Sequence, residues 1–171
     1  MKYLRIQSPS GVDLFHKREE GSLFLENSDY SQDFFADRLK VYLTDYPDQT
    51  WFIGVFDEDK EEGNIIPIGF IVVTSLDEDD YAFVHQAYMK PDFPDSDNIT
   101  RMIFHKTILW AQNNDKKGIK METQRGADAW HRSYGFVEDC VTMKYDIPED
   151  FELRLFSNKL KESDDGQSGQ K

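Results

Sequence analysis

The chain has 171 residues, 39% hydrophobic and 14% aromatic, enough apolar content for a folded core and too little for a membrane protein. Its 33 Asp and Glu against 20 Lys and Arg leave a formal charge of −13. A field of that sign repels phosphate backbones, which excludes sequence-independent nucleic-acid binding, and no apolar run approaches the roughly 18 residues that span a bilayer.

The N-terminus, Met1 to Ile6, lacks the apolar stretch of a secretory leader. Tyr3 to Gln7 alternates apolar and polar residues and reads as a first strand. Phe34, Phe35, Leu39, Tyr42 and Leu43 recur at helical spacing, predicting a helix over 31–46 that Pro47 stops. Trp51–Phe56 and Ile65–Thr74 form a predicted hairpin around the acidic turn 57–64. Tyr81–Met89 is the next strand, completing an antiparallel meander. The period then changes. Ile99, Met102, Ile103, Ile108, Leu109 and Ala111 predict a helix over 98–112, with Asp97 or Asn98 as N-cap. Ile119–Thr123 reads as a strand, Arg125–Tyr134 as a short helix capped by Gly135, and Phe136–Ile147 as one last strand.

Strand–helix–strand after a meander implies an α/β (α+β) fold. Its sheet is mixed, mostly antiparallel and twisted, of about six to seven strands with helices on both faces. Residues 1–147 are expected to form a single domain. Residues 148–162 carry Phe151, Leu155 and Phe156 at helical spacing and read as a docking segment, with 149–160 the stretch that meets an assembly partner or second copy. The composition of 163–171 is that of a flexible tail. Cys140 has no cysteine to pair with, and its residue neighbours favour a half-buried structural role in a reducing compartment. The acidic runs Asp57–Asp59, Glu61–Glu62, Asp77–Asp80 and Asp92/Asp95/Asp97 fit solvated turns, or a surface for a basic protein. None has calcium-loop spacing and the four His are scattered, so no metal site is expected.

Residues 51–147 resemble the GNAT N-acetyltransferases. The likeness is carried by Met89-Lys90-Pro91 after the meander, Leu109-Trp110-Ala111-Gln112 at the end of the central helix, Gly118–Thr123 as the fifth strand, and Ala129-Trp130-His131-Arg132-Ser133-Tyr134-Gly135-Phe136. The resemblance implies a sheet splayed between its fourth and fifth strands, with acetyl-CoA in the opening and its pyrophosphate on the central helix N-terminus. It assigns cofactor contacts to Ala87, Met89, Asp95, Asn98, Thr100 and Arg101. The family's loop reads Gln/Arg-x-x-Gly-x-Gly/Ala, because glycine lets the backbone approach phosphate. Two registers one residue apart fit this chain: Pro94 with Asp97 and Ile99, or Asp95 with Asn98 and Thr100. Neither supplies a glycine, and Asp92, Asp95 and Asp97 oppose an anion.

For acyl transfer, the resemblance places His131 where a tyrosine often protonates the leaving thiolate, with Tyr134 as substitute. Glu78, His85 and Glu122 are the candidate bases; strand alternation puts His85 on one face with Ala87. Each of these side chains also suits plain packing. Two functions follow: a GNAT-fold protein with an eroded acyl-CoA loop that binds or builds, without a cofactor, or a divergent acetyl-CoA-dependent N-acetyltransferase of a small cationic amine. The Trp130–Phe136 segment and eroded loop also resemble small internal virion proteins of short-tailed bacteriophages, implying a cytoplasmic location or one inside a particle assembled there.

Overall fold

The computed structural model describes residues 1–26, 30–58, 65–76, 78–122, 134–139 and 142–146. The predicted helix at 125–134 falls almost wholly outside them, as do the docking segment and the tail.

Seven strands form one mixed sheet: β1 (Lys2–Arg5), β2 (Thr50–Glu58), β3 (Ile65–Thr74), β4 (Tyr81–Met89), β5 (Gly118–Met121), β6 (Val137–Asp139) and β7 (Thr142–Asp146), in spatial order β1-β2-β3-β4-β5-β7-β6. All neighbours are antiparallel except β4 and β5, which run parallel. The connection that returns β5 beside β4 is the helix α3 (Ser96–Asn113), as a parallel pair requires.

The helix α2 (Gln32–Asp45) covers one face. The Ser31 hydroxyl accepts from the Phe34 N–H at 3.2 Å and caps its start, and Phe35, Ala36, Leu39 and Leu43 turn inward one turn apart. They close an aromatic core whose hub is Phe15, with ring centroids 4.9 Å from Phe52, 5.5 Å from Phe56 and 5.9 Å from Phe70. Phe15 belongs to a short helix, α1 (Asp13–His16), that follows a 3₁₀ turn at Pro9–Val12. Sequence periodicity indicates neither element, since one turn is too short to show a period. Gly54 passes directly beneath Phe15: a Cβ there would lie 2.4 Å from the Phe15 ring.

The opposite face is aliphatic. Ile99, Ile103, Phe104, Ile108 and Ala111 of α3 pack on Ile53, Val55, Ile71, Val73, Val84 and Ile119. Complete burial contributes about 1.5–3 kcal/mol for each large side chain. Thr107, also buried, donates to the Ile103 carbonyl at 2.9 Å and accepts from the Trp51 indole at 3.1 Å. Trp51 stacks on Trp110 at 5.6 Å, and the Arg5 guanidinium lies over the Trp51 ring at 5.1 Å.

The single strand expected over 136–147 is instead a hairpin, β6 and β7. Asp139 pairs with Thr142, so residues 140 and 141 alone separate the strands. A connection that short leaves the alternation unbroken, and neither residue is Gly, Asn or Pro, so no turn signal marks it.

Candidate functional site

The central opening follows from the length of β5. Tyr81–Val84 pair with Gly118–Met121, and beyond Val84 the two strands part while β4 continues along β3 to Met89. The Lys90 N–H donates to the Ile68 carbonyl at 2.7 Å. By strand alternation the main-chain groups of Met89 and Ala87 point the other way, into the opening, where no strand meets them among the described residues. Their side chains pack toward α3.

A bulge decides what stands beside this opening. Val72 pairs with Gln86 but Val73 pairs with Val84, leaving His85 as the extra residue of β4. Strict alternation would put His85 with Ala87. The bulge breaks that relation: His85 follows Phe83 onto the α2 face, Gln86 shares it, and Ala87 packs toward α3, so the expected pairing of His85 with Ala87 is corrected. Gln86 is buried and satisfied by Leu25, accepting its N–H and donating to its carbonyl, each at 2.9 Å. The His85 ring lies 5.5 Å from Tyr42 and 5.0 Å from Phe83, with Nε2 2.8 Å from the Thr74 hydroxyl.

A cavity of about 340 Å³ opens on this face, walled by Arg38 and Tyr42 of α2, Thr74 and Leu76, Phe83 and His85 of β4, and Lys120 and Glu122. Two of the predicted bases, His85 and Glu122, therefore share one cavity. The third, Glu78, is exposed and does not line it. Lys120 is ion-paired to Asp79. That pairing, with the Tyr81 N–H, holds the Asp79 carboxyl below its usual range. Arg38 donates through Nε to the Tyr42 hydroxyl at 2.5 Å, its guanidinium 5.3 Å above the Tyr42 ring. Tyr134 lies elsewhere: half-buried on the α3 face, 5.3 Å from Phe104, it is separated from this cavity by the sheet. His131 lies outside the described residues.

The approach to α3 departs from expectation in an informative way. The helix begins at Ser96 with Asp95 as N-cap, two residues before the earliest predicted start. Lys90-Pro91-Asp92-Phe93 and Phe93-Pro94-Asp95-Ser96 are consecutive turns. In each, the fourth residue's N–H reaches the first residue's carbonyl, at 3.4 and 3.1 Å. Proline sits second, and the third residue has positive φ, 60° at Asp92 and 62° at Asp95, the pattern of type II turns. Asparagine or glycine is usual there; aspartate tolerates it. The repeated Pro-Asp is the sequence signal for this, and helical periodicity alone overlooks it.

As a result Asp97, Asn98 and Thr100 lie in the first turns of α3, not in a loop. Thr100 donates to the Ser96 carbonyl at 2.7 Å, and Asn98 donates to the Asp95 carboxylate at 2.5 Å. The Asp95 side chain caps no helix N–H. Asp92, Asp95 and Asp97 are exposed around this end, and Arg101 is exposed one turn along. The Tyr3 phenol, buried beneath, is raised in pKa by burial first and by the Asp95 charge second.

No protein-family model matches the sequence, and no curated protein does. Solved structures do. A Desulfovibrio desulfuricans protein described as a GNAT-family acetyltransferase superposes with a TM-score of 0.61 at 10% identity, over 86% of this chain and 99% of its own. The aminoglycoside 6′-N-acetyltransferase AAC(6′)-Ig of Acinetobacter haemolyticus gives 0.57 at 14% identity, over 81% and 92%. PaiA N-acetyltransferase of Thermoplasma acidophilum, solved with coenzyme A, gives 0.54 at 13%, over 84% and 97%. The chain has the GNAT fold.

Coenzyme A, which this fold family implies, fits one end of the opening and not the other. The edge at Ala87 and Met89, which no strand meets among the described residues, suits an extended amide-bearing ligand. The end of α3 does not suit a diphosphate, since three exposed carboxylates surround it and the turns that precede it carry side chains where a backbone would need to approach.

Proposed function

We propose that this chain is a binding protein on the GNAT fold in which the grip on the acyl-CoA diphosphate has been lost. One observation carries this reading: the tandem Pro-Asp turns bring Asp92 and Asp95, with Asp97, to the α3 N-terminus that would hold the phosphates. Calorimetric titration with acetyl-CoA and coenzyme A tests it. A ligand at 100 times its Kd stabilises a fold by about 2.7 kcal/mol, so a competent site gives a clear melting shift; little or none is expected. Within this reading the acidic surface suits a basic protein partner, residues 149–160 suit an assembly contact, and the resemblance to virion proteins supplies a setting.

A divergent N-acetyltransferase is the second reading, favoured by the convergence of His85 and Glu122 on one cavity beside the opening. Micromolar affinity for acetyl-CoA, with acetylation of an amine that His85→Ala abolishes, would establish it in place of the first.

A further inference from the structure

We infer that the cavity between α2 and the β4–β5 ends is a site for a small zwitterion bearing one carboxylate and one amine, of the α-amino-acid class. On a chain of net charge −13 an arbitrary surface hollow is expected to be acidic. This one is lined by Arg38, Lys120 and Glu122. Among the described residues, Asp79 already neutralises Lys120, which leaves Arg38 as the permanent cation and Glu122 as the carboxylate to meet a ligand, beside the His85 ring. Arg38 is preorganised: its Nε is held by the Tyr42 hydroxyl and its guanidinium carbon lies 5.3 Å from the Tyr42 ring centroid, which leaves the two outer nitrogens as the fork that matches a carboxylate. Glu122 offers the complementary acceptor for an ammonium. Tyr42, Leu76 and Phe83 supply apolar wall for a side chain, and the His85–Thr74 bond fixes the floor.

Size and charge both oppose a polyamine or an aminoglycoside. About 340 Å³ is the low end for ligand pockets, and a ligand with several ammonium groups would set one against Arg38. This deepens the binding reading above by naming the occupant. It requires nothing of the α3 N-terminus, so its test omits coenzyme A and the two can fail separately.

The experiment is calorimetric titration of the full chain with the L-amino acids, then comparison of each binder with its decarboxylated amine and its deaminated acid. L-Phenylalanine with phenethylamine and 3-phenylpropanoate is one such set. At least a tenfold loss is expected for either charge deletion. Arg38→Gln should erase the preference over the amine and Glu122→Gln the preference over the acid. Both positions are exposed, and melting curves verify that the variants fold. Failure of every amino acid to bind, spermidine binding as tightly, or unchanged discrimination in the two variants overturns the assignment.

Discussion

Replacing Asp92, Asp95 and Asp97 together by Asn removes the charge at the start of α3 while keeping the backbone, because asparagine accepts positive φ as readily as aspartate. All three side chains are exposed, so the water limit of Coulomb's law applies: about 1 kcal/mol for a unit charge pair at 4 Å, against about 4 at an effective dielectric of 20. Counted as one unit pair each, three removals are therefore worth about 3 kcal/mol toward a bound diphosphate, roughly a hundredfold in Kd. The assay is titration with coenzyme A at low and high salt. The wild type should bind weakly at both, and the triple variant should gain most at low salt, where screening is least. A wild type that already binds at micromolar Kd refutes the electrostatic argument. A triple variant that gains nothing at low salt refutes it too, and points to backbone geometry as the barrier.

Asp95→Gly should leave stability nearly unchanged, whereas Asp95→Val, β-branched at φ 62°, should cost about 1–2 kcal/mol in urea denaturation. Gly69→Ala would set a Cβ 2.9 Å from the Tyr88 carbonyl and 2.7 Å from the Met89 methyl. Backbone cannot move aside as a side chain can, so a loss of about 1–3 kcal/mol is expected. The depressed Asp79 carboxyl contributes stability that is present above its unfolded pKa, near 3.8, and lost as pH falls through its lower folded value. The melting difference between wild type and Asp79→Asn should thus be constant near neutrality and shrink below about pH 3.8; a difference that grows on acidification contradicts the Lys120 pairing.

The elements whose side chains alternate or recur over several turns were legible in the sequence. Ile65–Thr74 and Tyr81–Met89 are found at their predicted bounds, and the parallel pairing of β4 with β5 follows from the intervening helix. What was not legible rests on single residues that break a period. One extra residue in β4 puts His85 and Ala87 on opposite faces, and nothing in Val84-His85-Gln86 announces a bulge, since it is fixed from outside by Gln86 bonding to Leu25, sixty-one residues away. The meeting of His85 with Glu122 needs no bulge, since Phe83 pairs with Lys120 and the residues two further on keep their face; the bulge only parts His85 from Ala87. The acidic turns before α3 are visible in the sequence as charge but not as geometry, because apolar spacing marks the helix only from Ile99.

These two features hold different positions in the energetics of the fold. The bulge at His85 is tied into the aromatic core: Gln86 is buried and bonded through both amide atoms, and Tyr88 packs on Phe70 at 6.1 Å. Straightening it would strand a buried amide, a loss of about 1–3 kcal/mol for each unsatisfied group. The turns at Asp92 and Asp95 lie on the surface, where substitutions that respect positive φ change stability little. The opening beside β4 and the cavity at His85 are therefore held by the same contacts that hold the sheet, while the α3 N-terminus can change its chemistry at little cost to folding. Substitution at the α3 N-terminus therefore leaves the cavity at His85 formed. That is why ligand binding on the α2 face and cofactor binding at α3 should be measured as independent quantities.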